Sequence, residues 1–191
     1  MKTAVLLITF LLSLSLRAGA EENGRWVFSL YRGRWSKTTF LNILGRQKTD
    51  FRDSWITVAG VGKKLSRLGS GFELEGEVNL GKHSGIQEHG EVNLLAALRY
   101  RNFPWDNYID TSAAFGSGLS YAFSRPPIEV SGRNPVPSRF LKYMMFEVEA
   151  ALHRIPGWHL FFRIHHRSGV FGLIRWRQGS NIIGLGLRGR F

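Results

Sequence analysis

The stretch Gln178–Phe191, QGSNIIGLGLRGRF, holds no acid and no proline, and its polarity changes with a period of two. Counting back in twos from Phe191 meets Gly189, Leu187, Leu185 and Ile183. The alternate register meets Arg190, Arg188, Gly186, Gly184 and Ile182. Successive side chains of a strand point to opposite faces. The segment therefore reads as a strand with an apolar, aromatic-tipped face and a second face of charge and small residues, each suited to a different surrounding.

The other end of the chain says where such a strand resides. Met1-Lys2 opens a short positive region, Ala4 to Leu16 is apolar, and Ala18-Gly19-Ala20 is a small-residue cleavage site. This pattern predicts a secretory signal peptide over residues 1–20, with Glu21 the first mature residue and a single domain over 21–191. The apolar stretch is too short to cross a bilayer as a helix, and no later segment approaches that length. A secreted chain of this kind enters a membrane only as a closed barrel, because lipid does not tolerate open sheet edges.

Eight strands are predicted, over Arg25–Arg34, Ser54–Leu65, Gly71–Leu80, His89–Arg101, Asp110–Ser124, Arg139–His153, Gly157–Arg167 and Gln178–Phe191. Short connections (Ser66–Ser70, Asn102–Tyr108, Arg154–Pro156) alternate with longer ones (Ser36–Asp53, Gly81–Glu88, Arg125–Ser138, Ser168–Arg177). The fold class is all-β: an eight-stranded antiparallel transmembrane β-barrel with periplasmic turns and longer extracellular loops, placed in a bacterial outer membrane. A C-terminal Phe on the closing strand fits insertion by the barrel assembly machinery.

Parity assigns the faces. Phe72, Leu74 and Val78 alternate with Glu73, Glu75 and Glu77; Phe146 and Val148 alternate with Glu147 and Glu149; Leu160, Phe162 and Ile164 alternate with His159, Arg163 and His165. The apolar register faces lipid, and the charged register fills a lumen too narrow for an aqueous pore. A porin is thereby disfavoured. A soluble lipocalin-like barrel would carry its apolar register inside.

Composition agrees. The net charge of +12 falls to about +10 once residues 1–20 are set aside, and a secreted chain meets anionic lipid or lipopolysaccharide phosphate rather than nucleic acid. There is no cysteine, so no disulfide framework; 22 glycines, 14 phenylalanines and 6 tryptophans suit tight strand crossings and aromatic girdles. Mean hydropathy is −0.13, which argues against a helical membrane protein.

Two polar residues interrupt the lipid-facing register where the seventh strand leaves the membrane: His166 and Ser168. Two residues apart on one strand face, they sit about 7 Å apart along the backbone, from twice the ~3.3 Å rise. Histidine as general base and serine as nucleophile for an ester carbonyl is the chemistry this pairing permits. The bland alternative is an interfacial histidine followed by a loop serine.

The segment Arg163–Phe191, with His166-Arg167-Ser168 and the Gly179-Ser180-Asn181 run before the closing strand, resembles the outer-membrane lipid A 3-O-deacylase (acyloxyacyl hydrolase) family. That resemblance implies an eight-stranded barrel that hydrolyses an ester-linked 3-hydroxyacyl chain of lipopolysaccharide, with Ser168 as nucleophile and His166 as base. The family usually places Asn directly after its Ser, where this chain has Gly169, and orients its His with a downstream acid. No Asp or Glu lies between Ser168 and Phe191, so Gln178, Ser180 or Asn181 has to hold the imidazole. Gly169 N–H and Asn181 are candidate donors to the oxyanion, and Arg167, Arg175 and Arg177 are candidate ligands for lipid A phosphates. The competing expectation is a non-catalytic small barrel, structural, adhesive or lipopolysaccharide-binding, with a degenerate site.

Other matches carry less. Gly184, Gly186 and Gly189 spell a dinucleotide-binding pattern inside a terminal strand with no helix after it. His153, His159 and His165 fall on the lumen side and read as satisfied lumen histidines, so no metal and no cofactor is expected. Trp158 and Trp176 suit interface anchors.

Overall fold

The computed structural model describes residues 25–45, 48–130, 136–151, 157–170, 173–174 and 178–191. Its strands are β1 (Trp26–Ser36), β2 (Phe51–Gly69), β3 (Phe72–Gly85), β4 (Gly90–Tyr100), β5 (Asp110–Ala122), β6 (Phe140–Ala151), β7 (Trp158–Ser168) and β8 (Gly179–Arg190). Each pairs antiparallel with the next, and β8 returns to β1, giving a closed eight-stranded barrel. The closing ladder runs from Val27↔Arg190 to Ser36↔Asn181. Phe191 extends it by exchanging backbone hydrogen bonds with Trp26 at 3.0 and 3.2 Å. The signal-peptide residues 1–20 lie outside the described residues.

Each expected strand is present, and β2 and β3 run further than the sequence suggests. β2 spans 19 residues because register shifts at Lys64/Ser66 and Arg67/Gly69 let its polar end stay on the ladder. The expected Ser66–Ser70 turn shrinks to Ser70-Gly71, both with left-handed φ (48° and 84°), the conformation a two-residue hairpin demands and one that glycine adopts freely. At the other end, most of the expected Gly81–Glu88 loop is strand. A short helix, α1 (Phe40–Leu44), forms within the long β1–β2 connection, where no helix was expected.

The faces follow parity, although Ile164, on the outward register of β7, is 1% exposed. Leu80, Leu94 and Leu185 on the outer wall are 59%, 58% and 61% exposed, while Glu75, Glu77, Glu147 and Glu149 are buried in the lumen. The apolar register is therefore outside, which excludes a lipocalin-like barrel.

An ionic network fills the lumen near the end that carries the termini. Arg99 donates to Glu75 (3.0 Å), Glu147 (2.6 Å) and the Ser112 hydroxyl (2.8 Å). Arg163 donates to Glu147 (2.7 Å) and Glu77 (2.6 Å), and Arg188 to Glu147 (2.8 Å) and Glu75 (2.6 Å). Arg190 reaches Glu149 and His159. Taking such charges out of water costs several kcal/mol per ion, and the network offsets this only because Arg99, Arg163 and Arg188 each meet more than one carboxylate. Above it lies an apolar layer of Tyr31, Ile56, Val58, Phe161 and Ile182.

The distal end is closed by a second polar layer. A 3-10 turn over Pro127–Glu129 in the β5–β6 connection lowers Glu129 into the barrel mouth, where Arg167 grips both of its carboxylate oxygens at 2.8 Å and Ser180 donates at 2.6 Å. Burial pushes the Glu129 carboxyl up from its ordinary value, while Arg167 and Ser180 oppose that shift. Nearby, His83 and His89 stack at 4.1 Å, and burial holds the His89 imidazole down at about 4.

Candidate functional site on the outer wall

His166 and Ser168 lie on the outward face of β7 at the distal end, half-buried, as parity predicts. Their cross-strand neighbours define the site. His166 pairs with Met144 of β6 and Asn181 of β8, and Ser168 pairs with Lys142 and Gly179. Gly179 is needed for that approach: its φ is 151°, and a Cβ there would sit 2.2 Å from the Arg167 carbonyl.

The imidazole is held from two sides. Asn181 Oδ1 lies 2.6 Å from His166 Nδ1, and Asn181 Nδ2 donates to the Thr38 carbonyl at 3.0 Å. A backbone carbonyl only accepts, so the Thr38 contact fixes which end of the amide faces the ring. The end that faces it is the oxygen, so His166 carries its proton on Nδ1, and the Ser180 backbone adds a second hydrogen bond to the ring. A neutral imidazole with its proton on Nδ1 has its basic nitrogen at Nε2. From the other side the Phe40 ring of α1 packs on the imidazole at 5.2 Å, so the β1–β2 connection both covers and orients it.

The nucleophile candidate is less engaged. Ser168 Oγ accepts the Val170 N–H at 3.1 Å, and among the described residues it makes no hydrogen bond to His166. Val170 has φ 53°, a left-handed conformation that is an outlier for a β-branched residue and stores strain next to the serine.

The other expected residues divide. Gln178 lies on the lumen side and commits its amide to the β5–β6 connection, accepting from Ser138 N–H (2.9 Å) and donating to the Val136 carbonyl (2.8 Å). Ser180 likewise faces inward, onto Glu129. Of the three candidates for orienting His166, Asn181 is the one whose side chain is hydrogen-bonded to it, while Ser180 reaches the ring through its backbone. The expectation that Gly169 N–H stands ready for an oxyanion is corrected, because it donates to the Gln178 carbonyl at 2.8 Å. Arg167 as a phosphate ligand is corrected as well. It is fully buried on Glu129, Ser120 and the Arg139 carbonyl, as a residue between two outward-facing neighbours must be. Arg175, Arg177 and Trp176 lie outside the described residues, as does His153.

Cations missed in the sequence stand on the outer wall instead. Lys142 is the direct cross-strand neighbour of Ser168. Arg34, one row below Asn181 on the ladder, and Arg32 stack on Trp55 at 5.1 and 5.0 Å. The signal was available: Lys142 shares the parity of Met144 and Phe146, and Arg32 and Arg34 that of Leu30.

No family model and no curated protein matches the sequence. Solved structures do match. The chain is similar to the outer membrane enzyme PagL (TM-score 0.60, 12% identity, covering 86% of this chain and 99% of that one). It is also similar to Neisserial surface protein A (NspA; TM-score 0.52, 10% identity, 88% and 97%) and to a de novo designed transmembrane β-barrel (TM-score 0.52, 10% identity, 90% and 98%). At such identities the likeness is one of fold: that of eight-stranded outer-membrane barrels.

Proposed function

We propose that this chain is a lipid A deacylase of the bacterial outer membrane, delivered by a signal peptide over residues 1–20 and inserted by the barrel assembly machinery through β8. The observation that carries the reading is the Thr38–Asn181–His166 relay on the lipid-facing wall, which supplies an oriented base beside Ser168 without the acid the resemblance leads one to expect. The likeness in fold to an outer membrane enzyme agrees with it.

In this mechanism His166 Nε2 takes the Ser168 proton as Oγ attacks the carbonyl of an ester-linked 3-hydroxyacyl chain. The Val170 N–H, which donates to Ser168 Oγ at 3.1 Å, is released from that oxygen as the attack proceeds and serves as a backbone donor to the developing oxyanion. The intermediate collapses by breaking the acyl C–O bond, and His166 returns its proton to the departing sugar hydroxyl. Water, deprotonated by the same imidazole, then cleaves the acyl-serine and frees the 3-hydroxy fatty acid. Lipopolysaccharide lies beside β7 and β8 in the outer leaflet, with Lys142, Arg34 and Arg32 facing its phosphates. Nucleic acid has no part, and no cofactor is required by this chemistry.

The second reading is a non-catalytic surface barrel, favoured by the absence of a Ser168–His166 hydrogen bond and by the engaged Gly169 N–H. Mass spectrometry of lipid A from cells with and without the protein separates the two. Loss of one hydroxyacyl chain that disappears in Ser168→Ala supports the enzyme. Unchanged lipid A in the presence of correctly folded wild-type barrel supports the surface protein.

A further inference from the structure

The distal lumen holds a cluster that the outer-wall chemistry does not use. One ring nitrogen each of His83 and His89 and one Glu91 carboxylate oxygen lie within 4.8 Å of one another. All three residues are buried, with 1%, 5% and 0% exposure. They come from the end of β3, the β3–β4 connection and the start of β4, so a hairpin holds all three. The sequence hides this because His83 falls in an expected loop. Continuing the parity of Glu73, Glu75, Glu77 and Asn79 through the longer β3 brings it inside.

Polar atoms of this layer are left over, two of them beside the cluster. His89 Nε2 and Gln87 Oε1 are buried and have no hydrogen-bond partner among the described residues. Such orphaned groups cost about 1–3 kcal/mol each unless something completes them. Around them the remaining hydrogen bonds form a supporting shell. Glu91 Oε1 accepts from Asn93 Nδ2 (2.9 Å) and lies 2.9 Å from His165 Nε2, whose other nitrogen is 2.7 Å from the Tyr31 hydroxyl. That leaves Glu91 Oε2 facing His83 Nε2 at 2.9 Å. The Gln87 amide lies against His83 Nδ1, with its nitrogen at 2.9 Å. Rotating that amide by half a turn places the orphaned Oε1 as acceptor for an Nδ1–H, the second contact a metal-bound histidine normally makes.

We propose that His83, His89 and Glu91 bind a divalent transition-metal ion, with zinc the best match, in the distal mouth of the barrel. Two imidazoles and one carboxylate suit Zn2+, whose ligand atoms sit about 2.0–2.2 Å from the ion, so the cluster has to close by about an ångström and one of the two stacked imidazoles has to turn out of its stack to take the ion. The ion replaces the hydrogen shared by His83 and Glu91, gives the His89 ring a partner and cross-links β3, the connection and β4. A fourth position is left for water. Arg167 divides its charge between Glu129 at 2.8 Å and a longer ion pair to Glu91 Oε2 at 3.8 Å, so Glu129 draws it away from the cluster.

The test is zinc binding by the folded, tag-free barrel in detergent, followed by competition with a chromophoric chelator. One equivalent of Zn2+ per chain is expected. His89→Ala should weaken binding by tenfold or more while keeping heat-modifiable migration, since its Nε2 supports no other contact, and Gln87→Leu should weaken it less. His159→Asn, at the opposite end of the lumen, should leave binding unchanged. Absence of saturable one-to-one binding to the folded wild type overturns the proposal. Equal affinity of wild type and His89→Ala overturns it too.

Discussion

Asn181 Oδ1 and His166 Nδ1 lie 2.6 Å apart on the outer wall, and the same Asn181 donates from its amide nitrogen to the Thr38 carbonyl. An uncharged side chain thus fixes the ring and its tautomer where a carboxylate was expected. Asparagine orients the imidazole of papain-like proteases in the same way. It does not stabilise the imidazolium as strongly as an acid does. This combination gives an oriented base with a modest electrostatic contribution.

Asn181→Ala should therefore lower deacylation of lipopolysaccharide in micelles by about 10²–10⁴, the range lost when a triad loses its orienting member or tautomer. Asn181→Asp should retain more activity than Asn181→Ala, since it restores an acceptor for Nδ1–H. A result in which Asn181→Ala turns over like wild type would remove Asn181 from the site.

The lumen makes a prediction about stability. Glu147 receives hydrogen bonds from Arg99, Arg163 and Arg188, all fully buried. Glu147→Leu leaves three guanidinium groups short of a carboxylate and should cost about 3–5 kcal/mol, measured by urea titration of the folded and unfolded gel bands. Glu73→Gln, at the wetter rim, should cost less.

Much of this was legible in the sequence, and the reason is period two. Glu75 and Arg163 face inward and Leu94 and Leu185 outward because a pleated strand permits nothing else once one register is fixed. His166 and Ser168 were found by the same rule, as polar residues in a lipid-facing register. What stayed hidden depends on other segments. Thr38 reaches Asn181 and Phe40 reaches His166 from a connection whose fold follows no alternation. His83 was lost because β3 continues past the apolar belt, where hydrophobic contrast no longer marks a strand. Arg167 shows the cost of reasoning by proximity in sequence: adjacent to both site residues, it faces the opposite way.

If the outer wall is in hydrocarbon, position decides the cost of a charge. Leu94→Arg, mid-strand on β4 and outward, should destabilise the barrel in lipid vesicles by about 2–4 kcal/mol, as cationic substitutions near a bilayer midplane do. In a soluble barrel an arginine at such an exposed position would be nearly neutral. Unfolding titrations of the two proteins in vesicles decide between these surroundings.

The outer-wall cations give the last prediction. Lys142 stands across the ladder from Ser168, and Arg34 packs on Trp55 one row below Asn181. Neither contacts the His166 ring or the serine oxygen among the described residues, so in the proposed reaction their charge would act on the substrate's phosphates in ground state and transition state alike. Interactions equal in both states raise the apparent affinity without changing the chemical step. Lys142→Gln and Arg34→Gln should each raise KM by about three- to tenfold, that is ~1 kcal/mol for an exposed charge-assisted contact, and leave kcat within about twofold. The effect should shrink as salt is added, because screening weakens an exposed ion pair. The double variant should multiply the two KM effects, since the residues stand on different strands and share no partner. A fall in kcat at unchanged KM would instead place Lys142 at the reacting centre, as a group that senses charge developing on the ester.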